Sequence, residues 1–139
     1  MLASLRENEK KVKTILVAHL VAVATKDQAL LLRSFARNAM FFGSDDTEQW
    51  TLGQLAQRLE ESKDGWNMKE CTQRSIQSVS PDVMSFFEIV RHVKYGQFRG
   101  SGVVVKNANH DWEIAQYVLS FSVPNAVVDK TNILTLLAG

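Results

Sequence analysis

Along this chain of 139 residues the spacing of apolar side chains changes once, near Lys69, and that change limits the fold more than any other feature. Before it, Val12, Ile15, Leu16, His19, Leu20 and Val23 recur at three and four residues, with Lys10, Lys11 and Lys13 mostly on the other side. This is the pattern of a long amphipathic helix. Asp27 can cap a second helix over "QALLLRSFARNA", which presents Leu31 and Phe35 to a core before "MFFG" turns extended. Thr51 followed by Gln54 has capping-box spacing, and Leu52, Leu55, Ala56 and Leu59 supply the stripe of a third helix ending near Ser62. After the change, "ECTQRSIQSVS", "VMSFFEIVRHVKY", "FRGSGVVVK" and "WEIAQYVLSFSV" are rich in β-branched and aromatic residues, which predicts four strands of an antiparallel meander. Helices first and strands afterwards, with no linker and no repeat, predict one α+β domain.

Turn chemistry then predicts the faces of the sheet. If Gly96 and Gln97 form a two-residue hairpin turn, Glu88 pairs with Val105 and His92 with Ser101. If "NANH" is the next loop, Val105 lies opposite Trp112 and Ser101 opposite Gln116. One face then carries Met84, Phe86, Glu88, Val90, His92, Arg99, Ser101, Val103, Trp112, Ile114, Gln116 and Val118. The other carries Phe87, Ile89, Arg91, Val93, Tyr95, Phe98, Val104, Ala115, Tyr117, Leu119 and Phe121, and a single bulge would swap part of the assignment. Both faces are substantially apolar, whereas a sheet with one wet side needs only one such face. Three helices cover one of them, so the outer face, with Phe87, Ile89, Val93, Tyr117, Leu119 and Phe121, is expected to meet a second subunit in a homodimer.

"FFGSDDTEQW", "FRGSGVVVK" and "DWEIAQYVLSFSVPN", in a helix-helix-strand-helix-sheet order, resemble the SnoaL-like domains of the nuclear transport factor 2-like superfamily from about Lys11 to Asn125. The resemblance implies a cystatin-like cone, a curved sheet wrapped around the long helix, with a pocket inside and often a homodimer through the outer face. Superfamily members include ketosteroid isomerases, polyketide cyclases, dehydratases and transport adaptors, so the fold does not name a reaction. The Tyr–Asp–Asp constellation of ketosteroid isomerase has no counterpart here, because Tyr95 and Tyr117 both fall on the face assigned outward.

Glu88 and Arg99, inward among Phe86, Val90, Val103 and Trp112, read either as an acid/base with its anchor or as an ion pair bracing the cone. His92, near a strand end, is a proton shuttle or a solvated rim residue. In "GSDDTEQW", a break at Gly43 followed by Asp45 and Asp46 predicts a turn that sends Glu48 and Trp50 toward the pocket mouth. The expected ligand-binding set is Asp45, Glu48, Trp50, Phe86, Glu88, Arg99, Ser101, Trp112 and Gln116, with Glu88 the best catalytic candidate. "DKTNILTLLAG" is expected to form a short helix capped by Asp129.

Sixteen basic and fifteen acidic residues leave no footprint for nucleic acid. One cysteine, Cys71, forbids an internal disulfide, three scattered histidines make no metal site, and no cofactor is expected. Charges before and inside the first apolar positions argue against a secretory leader or a membrane span, and predict a cytoplasmic protein. The functions in view are binding of a small apolar or amphipathic molecule, an isomerase, cyclase or dehydratase using Glu88 as base, and a protein-interaction module with an incidental cavity.

Overall fold

A computed structural model of the chain describes residues 2–125. The tail expected to form a helix after Asp129 lies outside them. The order is α1 (Leu2–Thr25), α2 (Gln28–Ser34), β1 (Phe35–Phe42), β2 (Gln49–Thr51), α3 (Leu52–Glu61), β3 (Met68–Ser80), β4 (Val83–His92), β5 (Gly96–Lys106) and β6 (Trp112–Phe121). Three helices pack on one face of a six-stranded sheet ordered β2-β1-β6-β5-β4-β3. The α+β cone with a curved sheet expected above is the fold of this chain. All neighbouring strands are antiparallel except β1 and β6, which run parallel, so the sheet is not a pure meander.

Local signals set the helices. The Asp27 carboxylate accepts the Leu30 amide (3.1 Å) at the start of α2. Thr51 and Gln54 close a full capping box on α3, which leaves two otherwise orphaned amides satisfied. The expected length of α2 is corrected: it stops at Ser34, and "FARNA" is already strand, because Phe35 is extended and pairs with Ile114 of β6. Val12, Leu16, His19 and Val23 of α1 meet Leu31, Leu55 and Leu59 from the other helices over the sheet residues Phe41, Met84, Phe86, Val104, Ile114 and Tyr117.

Two registers differ from expectation, and both change which side chains point inward. The β4–β5 turn is Val93–Tyr95 rather than Gly96–Gln97; Gly96 opens β5 with φ 80°, as in three-residue hairpins with a bulge. Glu88 therefore pairs with Gly100 instead of Val105. That displacement is odd, and in a strand an odd shift exchanges the faces. Phe98, Gly100, Gly102 and Val104 point inward, while Arg99, Ser101 and Val103 lie outside. In β6, Val104 pairs with Ile114 but Val103 with Gln116, so one extra residue bulges at Ala115. Trp112 and Ile114 remain inside as expected. Beyond the bulge, Tyr117 and Leu119 turn inward, and Gln116 and Val118 turn outward.

Candidate functional site

The open end of the cone holds a pocket of about 660 Å³. Its rim is the turn between β1 and β2, the C-terminal half of α3, the start of β3 and the β4–β5 hairpin. The acids of "GSDDTEQW" build that turn. Asp45 accepts the Thr47 amide (2.9 Å) and hydroxyl (2.7 Å), which hold its carboxyl below the ordinary value. The Asp45 amide donates to the Glu48 carboxylate (3.0 Å), the Glu48 amide to the Asp45 carbonyl (3.0 Å), and the Gly43 amide to the Glu48 carbonyl (2.8 Å). A Cβ on Gly43 would lie 2.7 Å from that of Glu48, so the turn closes only over a glycine. Asp45 is exposed and braces the turn, whereas Glu48 and Trp50 line the pocket.

From the mouth inward runs a ladder of rings. Trp50 stacks on Phe41 (5.8 Å, 8°), and Phe41 on Tyr117 (5.5 Å, 2°). Trp66 tilts against both Trp50 and Phe41, and the Arg58 guanidinium sits 5.2 Å above the Trp50 ring. Tyr95, Phe98, Leu119 and Phe121 form the opposite wall. His92 accepts the amides of Lys94 (2.9 Å) and Tyr95 (3.1 Å) at Nδ1, leaving Nε2 as the protonated nitrogen of a neutral ring on the pocket wall. Partial burial and the neighbouring Lys94 lower its pKa. Below the mouth is a second cavity of about 10 Å³, at the limit for one water, which shares Phe41, Trp66, Met68 and Leu119 with it and reaches His19. His19 is 2% exposed, its Nδ1 has no partner, and burial lowers its pKa to about 3.

Glu88 is fully buried on β4, as expected, but its partners are different. Arg99 is exposed on the outer face, and the expected Glu88–Arg99 pair does not form. Arg74 of β3 donates Nε–H to one carboxylate oxygen (2.9 Å), and the Tyr117 hydroxyl donates to the other (2.7 Å). Tyr117 crosses β5 to get there. Gly100 leaves a slot for it, since a Cβ there would collide with the Tyr117 hydroxyl, while Gly102, two residues on, makes room for the β6 backbone, where a Cβ would collide with the Gln116 carbonyl. Burial raises the Glu88 pKa, opposed by the Tyr117 hydrogen bond and by Arg74, and burial together with Glu88 raises that of Tyr117 well above the ordinary value. Both carboxylate oxygens are engaged, and Glu88 lines neither the mouth pocket nor the cavity beneath it. That is the geometry of a brace inside the cone.

Of the remaining expected site residues, Phe86 is core, 5.6 Å from the Tyr117 ring. Trp112 is core at the far end of β6, with the Lys106 ammonium 5.2 Å from its ring. Ser101 and Gln116, assigned inward, are on the outer face with Arg99, for the register reasons given above. The outward assignment of Phe98, Val104, Tyr117, Leu119 and Phe121 is likewise reversed, and Tyr117 is 1% exposed. Sequence reasoning missed Arg58, Tyr95, Phe98, Tyr117 and Arg74 as a group. The signal for Tyr117 was present in "RGSG", whose paired glycines open one face of a strand to a neighbouring ring. Among the described residues no cluster of metal-ligating side chains occurs, and no helix is long and apolar enough to cross a membrane.

A family model described as a SnoaL-like domain matches residues 12–124. Similar solved structures include an NTF2-like protein of unknown function from Pseudomonas putida KT2440, at 11% identity and TM-score 0.70 over 86% of this chain and 90% of that one. An NTF-2 like protein of unknown function from Silicibacter pomeroyi DSS-3 matches at 17% identity and TM-score 0.67, over 85% and 98%. A ketosteroid isomerase-like protein from Erwinia carotovora atroseptica SCRI1043 matches at 16% identity and TM-score 0.61, over 81% and 95%. No curated protein sequence matches the chain. At these identities the structural likeness carries the fold alone.

Proposed function

The chain belongs to the SnoaL-like domain family, and from that premise we propose that it binds a small, mostly apolar molecule in the mouth pocket. The observation that carries this reading is the pocket itself: about 660 Å³, walled on its apolar side by Trp50, Trp66, Tyr95 and Phe98, with Glu48, Arg58, Glu61 and His92 as the charged and polar groups that also line it. That size and composition suit a flat or elongated ligand held by ring stacking and oriented by one or two hydrogen bonds. Arg58 and the Nε2–H of His92 are the donors placed to orient it. Isomerase, cyclase or dehydratase chemistry at Glu88 needs its carboxylate within reach of the ligand, and Glu88 lines neither the mouth pocket nor the cavity beneath it. The binding reading therefore takes precedence over the catalytic one.

The test is a titration with 1-naphthol and with progesterone, read by tryptophan emission in a Trp112→Phe background so that only Trp50 and Trp66 report. Saturable quenching is expected, weakened about tenfold by Trp66→Ala, the scale of one lost stacking contact and its buried area. If neither probe perturbs the emission or the indole resonances of Trp50 and Trp66, the reading fails. We also propose that the protein works in the cytoplasm as a homodimer through the outer face of its sheet. In support, three of the five residues in the cross-strand row Phe42, Val118, Ser101, Phe87 and Ser75 are apolar, and the row lies on the face opposite the three described helices.

A further inference from the structure

Away from the mouth, α1 carries a stripe that changes character halfway along. Arg6, Lys10, Lys13, Val17, Leu20 and Ala24 follow at spacings of four and three, which keeps them on one side of the helix. The first three are basic and the last three apolar. Between this stripe and β3 runs a groove in two connected halves that share Cys71 and Arg74. The basic half, about 570 Å³, sets Arg6, Lys10, Lys13 and Arg74 against one carboxylate, Glu9. The apolar half, about 350 Å³, is lined by Val17, Leu20, Val21, Met68 and Val90, with Glu70, paired to Arg91 (3.7 Å), at its edge, and Val17 and Val21 remain 41% and 45% exposed.

Arg74 ties the halves together. Its side chain is only 13% exposed, and its Nε–H is taken by Glu88. A guanidinium carries five N–H donors, and among the described residues no protein acceptor bonds the other four. A largely buried cation that borders an open groove with donors to spare suits a planar anion, which it can grip through two parallel hydrogen bonds. We propose that this groove binds a single-chain amphiphile with a carboxylate head, the head on Arg74 beside Lys10 and Lys13 and the tail along Val17, Leu20 and Val21. The apolar run from Val17 to Ala24 is about 10 Å long at the rise of a helix. That length fits an alkyl tail and falls short of the roughly 20 Å that a docked partner helix of 12 to 15 residues would cover.

Decanoate is the probe, with decanol and acetate lacking the head and the tail respectively. Calorimetry should show saturable binding of decanoate, about tenfold or more above either comparator. Because Arg74→Gln risks the fold through Glu88, the diagnostic variant is Lys10→Glu with Lys13→Glu, both exposed and remote from the mouth. It should bind decanoate at least about tenfold more weakly with an unchanged melting temperature. Cys71, the only cysteine, sits at the junction of the halves, so decanoate should slow its alkylation by iodoacetamide. Trp66→Ala should leave decanoate affinity as it is, which separates this groove from the mouth pocket. Equal binding of decanol and decanoate, full binding by the double variant, or unprotected Cys71 would each overturn the proposal. So would self-association abolished by Val17→Glu in a chain that ignores decanoate, since the groove would then belong to a second copy.

Discussion

His19 has the clearest thermodynamic signature of any side chain here. Folding takes a residue with an ordinary pKa of 6.5 and holds it neutral down to about pH 3, by burial among Phe35, Phe41 and Tyr117. The unfolded chain binds a proton that the folded chain refuses, so stability falls as pH drops from 6.5 toward 3, by about 1.4 kcal/mol per unit. Urea unfolding should show the wild type losing about 2 kcal/mol from this source between pH 7 and pH 5. His19→Leu should remove that slope, at little cost at pH 7 because Nδ1 bonds nothing. Equal slopes for the two proteins would disprove the assignment. The position of His19 was legible, since it sits on the apolar stripe of α1. Its lack of a hydrogen-bond partner was not, because that depends on rings from β1 and β6 that meet it only in the fold.

Among elements, the inner face of β5 decides how β4 and β6 communicate. Gly100 lets the Tyr117 ring lie across β5 to reach Glu88, and Gly102 lets the β6 backbone come close at Gln116. Gly100→Ala forces a methyl against the Tyr117 hydroxyl and should cost about 2 kcal/mol, the scale of overpacking a core. Tyr117→Phe removes the nearest obstructing atom, leaving the ring Cζ 2.6 Å from the methyl, and leaves a Glu88 oxygen without its donor. The double variant should therefore lose measurably less than the sum of the two single losses in chemical denaturation; strict additivity would mean that the contact carries no strain. The same strand marks where sequence reading stops. The caps at Asp27 and Thr51 were readable because each is settled within four residues. So was the inward side of β4, where Met84, Phe86, Glu88 and Val90 alternate regularly. The partner of Glu88 was not, because a hairpin one residue longer than assumed and one bulge at Ala115 exchange whole faces without altering any local pattern.

At the scale of the molecule, a sheet of five long strands about ten residues tall offers on the order of 800 Å² on the side away from the described helices, by strand spacing and rise. That matches what one partner contributes to a stable interface. Val118 lies near its middle, between Phe42 and Ser101. Val118→Lys should convert the expected dimer to a monomer in light scattering at micromolar concentration, and a wild type that is already monomeric would remove the interface from consideration. The two-faced hydrophobicity that suggested a dimer was visible in the chain, although Tyr117, Leu119 and Phe121, three of the six apolar residues expected at that interface, turn inward, as do Phe98 and Val104. The parallel pairing of β1 with β6 bears on biosynthesis. The sixth strand in chain order is third in the sheet, flanked by β1 and β5, and it carries Trp112, Ile114 and Tyr117. While a ribosome is still adding residues before Trp112, β1 has only the three-residue β2 beside it, and α1 and α2 lack the part of their cover that β6 supplies. Closure waits for contacts between residues as far apart as Phe35 and Ile114, which are slow to form. The sheet is therefore expected to close only once β6 has left the exit tunnel, and until then the nascent chain exposes the strand edges that β6 will join.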